Sequence, residues 1–420
     1  MHSRQVNSFL LCMIAASGTM LYYFLFQYRF YEGGISLIFV VAYLLAKTQS
    51  FPVSISPMLA FCGFMLLSTT WAPNPADGQA AFVNIVPFIL FSLAAPLLLR
   101  TGSPGVELRI AQAIAIAYLF ISLAAFAQVG SFVDESKGSI RTLIGNTFLI
   151  SIPAYVYYVV DRRSAASLIL LLATVVVGVL SESRTFTLFA VPVGLACFVL
   201  YRLRPGNRAA TRRTAVVALA AAIVAFGGYK AAQTGTGDSR LGSAGTSFSI
   251  NQQVLDEIKN PKLADADIER RLSLFMALTS FVNSPATGGG FFSTGYYVEQ
   301  VSKFKTSAHG WPSTLLGEMG IIGTALFGWL VVTALNGFRR ALRAVGASGR
   351  PLIYAQLMSF IAVLISGMFH QAYQDVFFYL FAGFGLYYHR RFRVLNGLHS
   401  EASTAFRQYG RVRPFSQVVS

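Results

Sequence analysis

The sequence predicts an all-α, polytopic membrane protein of about twelve transmembrane helices, and three observations predict it. Of its 420 residues, 55% are hydrophobic and only 12% are charged, with a mean hydropathy of +0.57. Soluble domains carry roughly 25% charged residues. The apolar residues fall into runs close to the ~20 residues that a helix needs to cross a bilayer. Those runs are continuous, whereas a membrane β-barrel alternates apolar and polar positions. Together these features exclude a soluble globular enzyme, a disordered chain and a coiled coil.

Twelve apolar segments run 6–26, 31–46, 53–71, 80–99, 108–130, 147–160, 165–181, 185–201, 214–231, 314–335, 352–370 and 375–389. The first is too long for a signal-peptide core and no small-residue cleavage site follows it, so it reads as an uncleaved helix. Only Ser181-Glu182-Ser183-Arg184 separates the seventh from the eighth, which makes them a helical hairpin or a pair of broken helices. The chain divides into an N-terminal membrane bundle (1–231), a long loop (232–313), C-terminal membrane helices (314–389) and a basic tail (390–420). Cys12, Cys62 and Cys197 all lie in apolar segments and read as small packing residues.

The formal charge is +16, from 33 Lys+Arg against 17 Asp+Glu. In a soluble protein this would suggest nucleic acid; here its placement gives the topology. With the N-terminus in the cytoplasm, 21 of the 33 fall in cytoplasmic segments, while the short outward loops hold only Arg29, Lys137, Arg141 and Arg184. That is the positive-inside pattern. It predicts both termini inside, attraction to anionic membrane lipids and no nucleic-acid partner.

The long loop then lies outside, between spans nine and ten. Its first part is rich in Gly, Ser and Thr. A helix follows over about 263–282, in which Ile268, Leu272, Phe275, Thr279 and Val282 recur at helical spacing and predict one largely apolar face. Such a helix lies flat on the membrane or caps the bundle. Ser284-Pro285 and Gly288-Gly289-Gly290 end it.

Gly-x-Ser-x-Gly, His-Glu-x-x-His, the phosphate-cradling Gly-x4-Gly-Lys and Cys/His metal spacings are all missing from the sequence. Asp265 and Asp267 have the spacing of a metal-holding acidic pair, but among Asp256, Glu257 and Glu269 they read as a solvated helix face. What remains is a cationic set on the outer face. Arg184 follows directly on an apolar span, where an arginine costs a few kcal/mol unless it snorkels or pairs. It is an interfacial anchor, or a partner of Glu182, or a ligand for an anionic head group, since a guanidinium fork fits phosphate oxygens. Arg270 and Arg271 sit on the loop helix; Arg271 shares a side with Ile268 and Phe275 and is expected to face the membrane, Arg270 the solvent. His309 precedes span ten, and imidazole exchanges a proton near neutrality. Glu318 lies inside span ten and requires a partner or a polar cavity. Asp375 and Gln374 raise the same question at the start of span twelve, and His370 lies outside at the end of span eleven.

From residue 271 to 323 these features form a pattern. Arg271-Leu272-Ser273-Leu274-Phe275 is followed by Asn283-Ser284-Pro285, Gly288-Gly289-Gly290-Phe291 and His309-Gly310-x4-Leu315-Leu316-x-Glu318-x-Gly320-Ile321-Ile322-Gly323. With Ser181-x-Ser183-Arg184 and the Trp71-Ala72-Pro73-Asn74-Pro75 turn, this resembles the O-antigen ligase/O-antigen polymerase superfamily. Gly310 stands where that family usually has Asn, and Phe275 where it has Trp. The resemblance implies a metal-independent, cofactor-free, inverting glycosyltransferase in the bacterial inner membrane, its active site periplasmic. The donor would be an undecaprenyl-diphosphate-linked glycan, and the acceptor lipid A–core or another lipid-linked glycan. Arg184, Arg271 and Arg270 would bind the diphosphate and His309 would act as general base, with Glu318 and Gly310 in support. A lipid-linked glycan transporter is the rival of another class, and a non-enzymatic membrane scaffold a third. A transporter would show related halves, and no internal repeat is visible.

Overall fold

A computed structural model describes residues 2–25, 28–46, 56–129, 140–181, 183–202, 266–302, 310–346, 348–368 and 375–409. Span nine and the Gly-rich part of the long loop lie outside the described residues, as do His309, His370 and Gln374. Among the described residues the chain is all-α, with no strand. The helices are α1 (His2–Leu25), α2 (Tyr28–Ala46), α3 (Ser56–Ser68), α4 (Pro75–Thr101), α5 (Val106–Val129), α6 (Ile140–Val160) and α7 (Ala165–Leu180). They continue with α8 (Arg184–Arg202), α9 (Ala266–Asn283), α10 (Ser293–Ser302), α11 (Trp311–Ala344), α12 (Arg350–Gly367) and α13 (Val376–Tyr409). Each predicted apolar segment outside 214–231 coincides with a helix. Among the described residues, six helices (α1, α4, α5, α6, α11 and α12) are long and apolar enough to cross a membrane. Large apolar side chains cover the outside, among them Phe9, Val83 and Ile169, each more than 60% exposed. Soluble monomers avoid such continuous apolar surface, and hydrocarbon favours it.

α6 is the axis of the bundle. Residues 144–160 are buried without interruption, as expected of a helix apolar all round. It packs against α5, α7, α8 and α12. The predicted segment began at 147; the helix begins at Ile140 and takes in Arg141 and Asn146. The seventh and eighth segments form a hairpin, α7 and α8, both packed on α6. The Ser164 hydroxyl caps α7 by accepting from Ser167 N at 3.2 Å. α13 packs against α11, α12 and α4 through a stack of rings. Phe378 lies parallel to Phe327 at 5.3 Å, and Phe338 meets Phe360 and Tyr388 at about 6 Å.

Contacts between helix ends give the bundle two distinct poles. At the first, the turn end, lie the α3–α4 turn, the α9–α10 loop, the start of α11 and the end of α12. At the opposite end α1 meets the end of α4, where Asn7 Nδ2 donates to Thr101 O at 3.2 Å. There too, Tyr158 near the end of α6 donates to Gly105 O at 3.0 Å. Arg340 of α11 donates to His389 O of α13 at 3.5 Å. Arg4, Arg109, Arg162, Arg163, Arg339, Arg343, Arg350, Arg390 and Arg391 are exposed at or near this opposite end.

Candidate functional site

The site is organised around a break in α11. In an unbroken helix the N–H groups of residues 321 and 322 donate to carbonyls 317 and 318. Gly320 instead adopts φ 61°, ψ −161°, a conformation open to glycine and strained for other residues. One loop takes up all four groups that this frees. Gly289 N donates to Gly317 O at 2.9 Å and Gly290 N to Glu318 O at 2.8 Å, while Ile321 N and Ile322 N donate to Pro285 O and Ala286 O at 2.9 and 3.1 Å. The loop thus replaces two helical hydrogen bonds with four of its own. Irregular backbone survives at membrane depth only where protein or water satisfies it in this way.

The same loop reaches the α3–α4 turn. Phe291 N donates to Ser68 Oγ at 3.2 Å. Gly290, at φ 96°, passes so close to Ala72 that a Cβ would sit 2.6 Å from the Ala72 backbone. Trp71–Pro75, Asn283–Phe291 and Gly310–Gly323, distant in sequence, therefore form one assembly. Glu318 is 1% exposed, and its Oε2 accepts from Phe292 N at 3.0 Å. Phe292 has a left-handed backbone, φ 67°, uncommon for a bulky residue. The carboxylate that the sequence left in need of a partner thus has one in the loop backbone.

Gly310 precedes α11 at φ 86°. Its carbonyl accepts from Thr314 Oγ1 at 2.8 Å and Thr314 N at 3.2 Å. A Cβ on Gly310 would sit 2.7 Å from Met368 O at the end of α12, so no Asn side chain fits here without movement. Arg184 is the first residue of α8. Arg270 and Arg271 lie in α9, and His309 immediately precedes the described start at Gly310. Asp267 is in α9 and Asp265 lies outside the described residues. Asp375 is a helix cap: its Oδ1 accepts from Phe377 N at 2.8 Å.

The loop helix α9 presents its bulky residues outward and its small ones to the bundle. Leu272 is buried, but Phe275, Leu278 and Val282 are exposed, and Thr279 with them. The buried stripe is Ser273, Ala277 and Ser280. Small residues let backbones approach closely in membranes, and a Cβ on Gly317 would sit 2.6 Å from Ala277 O. Ser280 Oγ donates to Gly317 O at 2.9 Å.

Sequence reasoning missed Ser68, Ser280, Phe292 and Asn146. Asn146 of α6 is 2% exposed, and neither its Nδ2 nor its Oδ1 has a hydrogen-bond partner. Ser273, Ser293 and Thr294 are likewise buried with no partner for their hydroxyls. Each buried polar group left unmade costs about 1–3 kcal/mol. A second polar cluster sits at the opposite end. Gln356 Nε2 donates to the fully buried Glu107 Oε1 at 2.7 Å, and Tyr388 Oη donates to Gln356 Oε1 at 3.0 Å. No family model matches this chain, and no curated protein matches it either.

Proposed function

We propose that this chain is a membrane glycosyltransferase of the O-antigen ligase type. It moves a glycan from undecaprenyl diphosphate to a sugar hydroxyl of lipid A–core at the periplasmic face of the inner membrane. One observation carries the reading: three of the segments that resemble the superfamily, Trp71–Pro75, Asn283–Phe291 and Gly310–Gly323, are knit together at one end of the bundle by the Gly320 break and its loop. A membrane helix that merely spans has no need of such a break. The orientation follows from charge. The arginine-rich opposite end faces the cytoplasm, which makes the turn end periplasmic, with twelve spans and both termini inside.

In this reading Arg184, Arg271 and Arg270 bind the diphosphate. As an acceptor hydroxyl attacks the anomeric carbon, the bond from that carbon to the phosphate oxygen breaks. The electron pair leaves with the lipid diphosphate, and His309 accepts the hydroxyl proton. Preorganised guanidinium groups stabilise the charge that develops on the leaving group, most strongly where water is scarce. A single displacement inverts the anomeric centre. The donor is already activated, so the mechanism calls for no metal and no cofactor. Glu318 holds the loop to α11, and Gly310 sets the approach of α12 to the residue beside His309.

Polymerisation of a lipid-linked glycan uses the same chemistry with a different acceptor. Transport is the reading of another class, and the broken α11 favours it to this extent: transporters build binding sites from discontinuous helices. Deletion followed by gel analysis of surface polysaccharide separates the three. Uncapped lipid-linked polymer accumulates when a ligase is lost, and single repeat units when a polymerase is lost. Arg184→Ala, Arg271→Ala or His309→Ala should each reproduce the deletion phenotype with normal membrane insertion. Full complementation by both arginine variants removes the diphosphate-binding role.

A further inference from the structure

We propose that Asn146 is a ligand-binding residue whose carboxamide, on the buried helix α6 beside the N-terminus of α8, donates to a phosphoryl oxygen of a lipid diphosphate. This rests on the reading above and adds a contact from a helix that carries none of the predicted site residues.

The position supports it first. Gly145 lies directly against the Ser183 hydroxyl, and Phe148 meets Phe186 edge-on at 6.2 Å. This stretch of α6 therefore runs past the first turn of α8, where Arg184 begins the helix. One turn along, the Ile150 carbonyl accepts from Ser359 of α12 at 3.1 Å. At about 100° per residue, position 146 falls between the side of α6 that meets α8 and the side that meets α12. α12 is capped by Met368, whose carbonyl abuts Gly310, the residue after His309. Asn146 thus stands between the helix that begins with Arg184 and the helix that ends beside Gly310.

Chemistry supplies the second argument. The N-terminus of a 19-residue helix such as α8 attracts anions through its free N–H groups and its dipole. Ser183 Oγ takes up one of these N–H groups, that of Phe186, at 3.5 Å. Among the described residues, Asn146 carries the only side-chain amide whose donor and acceptor are both buried and unmade. Buried polar groups are normally satisfied, and an exception calls for a reason. An uncharged Nδ2–H beside a helix N-terminus suits a phosphoryl oxygen, and it carries no charge into the interior of the bundle.

The test uses the full-length protein in lipid nanodiscs, with undecaprenyl diphosphate and inorganic pyrophosphate as separate probes. Asn146→Leu is expected to keep or raise the melting temperature, because it removes an unmade amide. It is expected to weaken undecaprenyl diphosphate binding at least tenfold. Asn146→Asp, which sets a carboxylate against the anion, is expected to weaken it further. If pyrophosphate alone binds as tightly as the lipid, the site takes free diphosphate and the lipid assignment falls. If Asn146→Leu lowers the melting temperature and binds the lipid as wild type does, Asn146 is structural and the proposal is overturned. In that case loss of binding in Arg184→Ala shows that the functional reading still stands. Absence of binding by the wild type takes down both.

Discussion

The two ends of the bundle solve the same problem differently. At the opposite end, polar side chains close on one another. Glu107, Gln356 and Tyr388 link α5, α12 and α13. Tyr158 donates to Gly105 O and accepts from Arg109 Nε at 3.2 Å, with the guanidinium over its ring. At the turn end the backbone does the work. A loop exchanges four hydrogen bonds with a broken helix, and Asn146, Ser273, Ser293 and Thr294 are left buried without partners. Linked side chains brace a packing, even though Glu107 Oε2 is itself buried without a partner. Irregular backbone, by contrast, concentrates where proteins bind and react. The difference is the structural ground on which the proposal puts its site at the turn end.

The comparison breaks most readily at Gly320. Gly320→Ala puts a Cβ against the Ala286 carbonyl at a left-handed position and undoes the exchange. A loss of the order of 4 kcal/mol, at the severe end for single substitutions, is expected. It should appear in the melting temperature of the purified protein. A melt matching wild type would mean that the loop does not hold the break. At the opposite end, Gln356→Leu leaves the buried Glu107 without its hydrogen bond, and a loss of about 2–3 kcal/mol is expected. Glu107→Gln, which keeps an acceptor for Gln356, should cost less. The smallest effect sharpens the comparison most. Glu318→Ala strands the Phe292 N–H and should cost about 1–3 kcal/mol. Glu318→Gln retains an oxygen acceptor and should restore both stability and transfer. Transfer lost in Glu318→Gln with stability intact would give the carboxylate a direct part in the chemistry.

The helices were legible because apolar runs of this length have few other uses in a chain so poor in charge. Their bounds failed where polar residues enter a buried helix: the predicted sixth segment stopped short of Asn146, although α6 continues to Ile140. The packed face of α9 was not legible from hydropathy, for a reason particular to membranes. Hydropathy follows bulky residues, yet Phe275, Leu278 and Val282 point outward while Ser273, Ala277 and Ser280 make the contact. Of the site, Glu318 was legible as a carboxylate in need of a partner. Its partner, a backbone N–H 26 residues away, leaves no mark in composition. The reciprocal exchange at Gly320 was equally hidden, since it belongs to two segments at once.

One measurement bears most directly on the assignment of the turn end as a transferase site. Purified protein in nanodiscs is given an undecaprenyl-diphosphate-linked glycan and a lipid A–core acceptor, and the lipid products are resolved by mass spectrometry. A transferase yields the glycan joined to the acceptor together with free undecaprenyl diphosphate, and yields neither when Arg184 or His309 is replaced by Ala. An acceptor that stays unmodified with the wild type, or a product that forms equally well with both variants, contradicts the assignment.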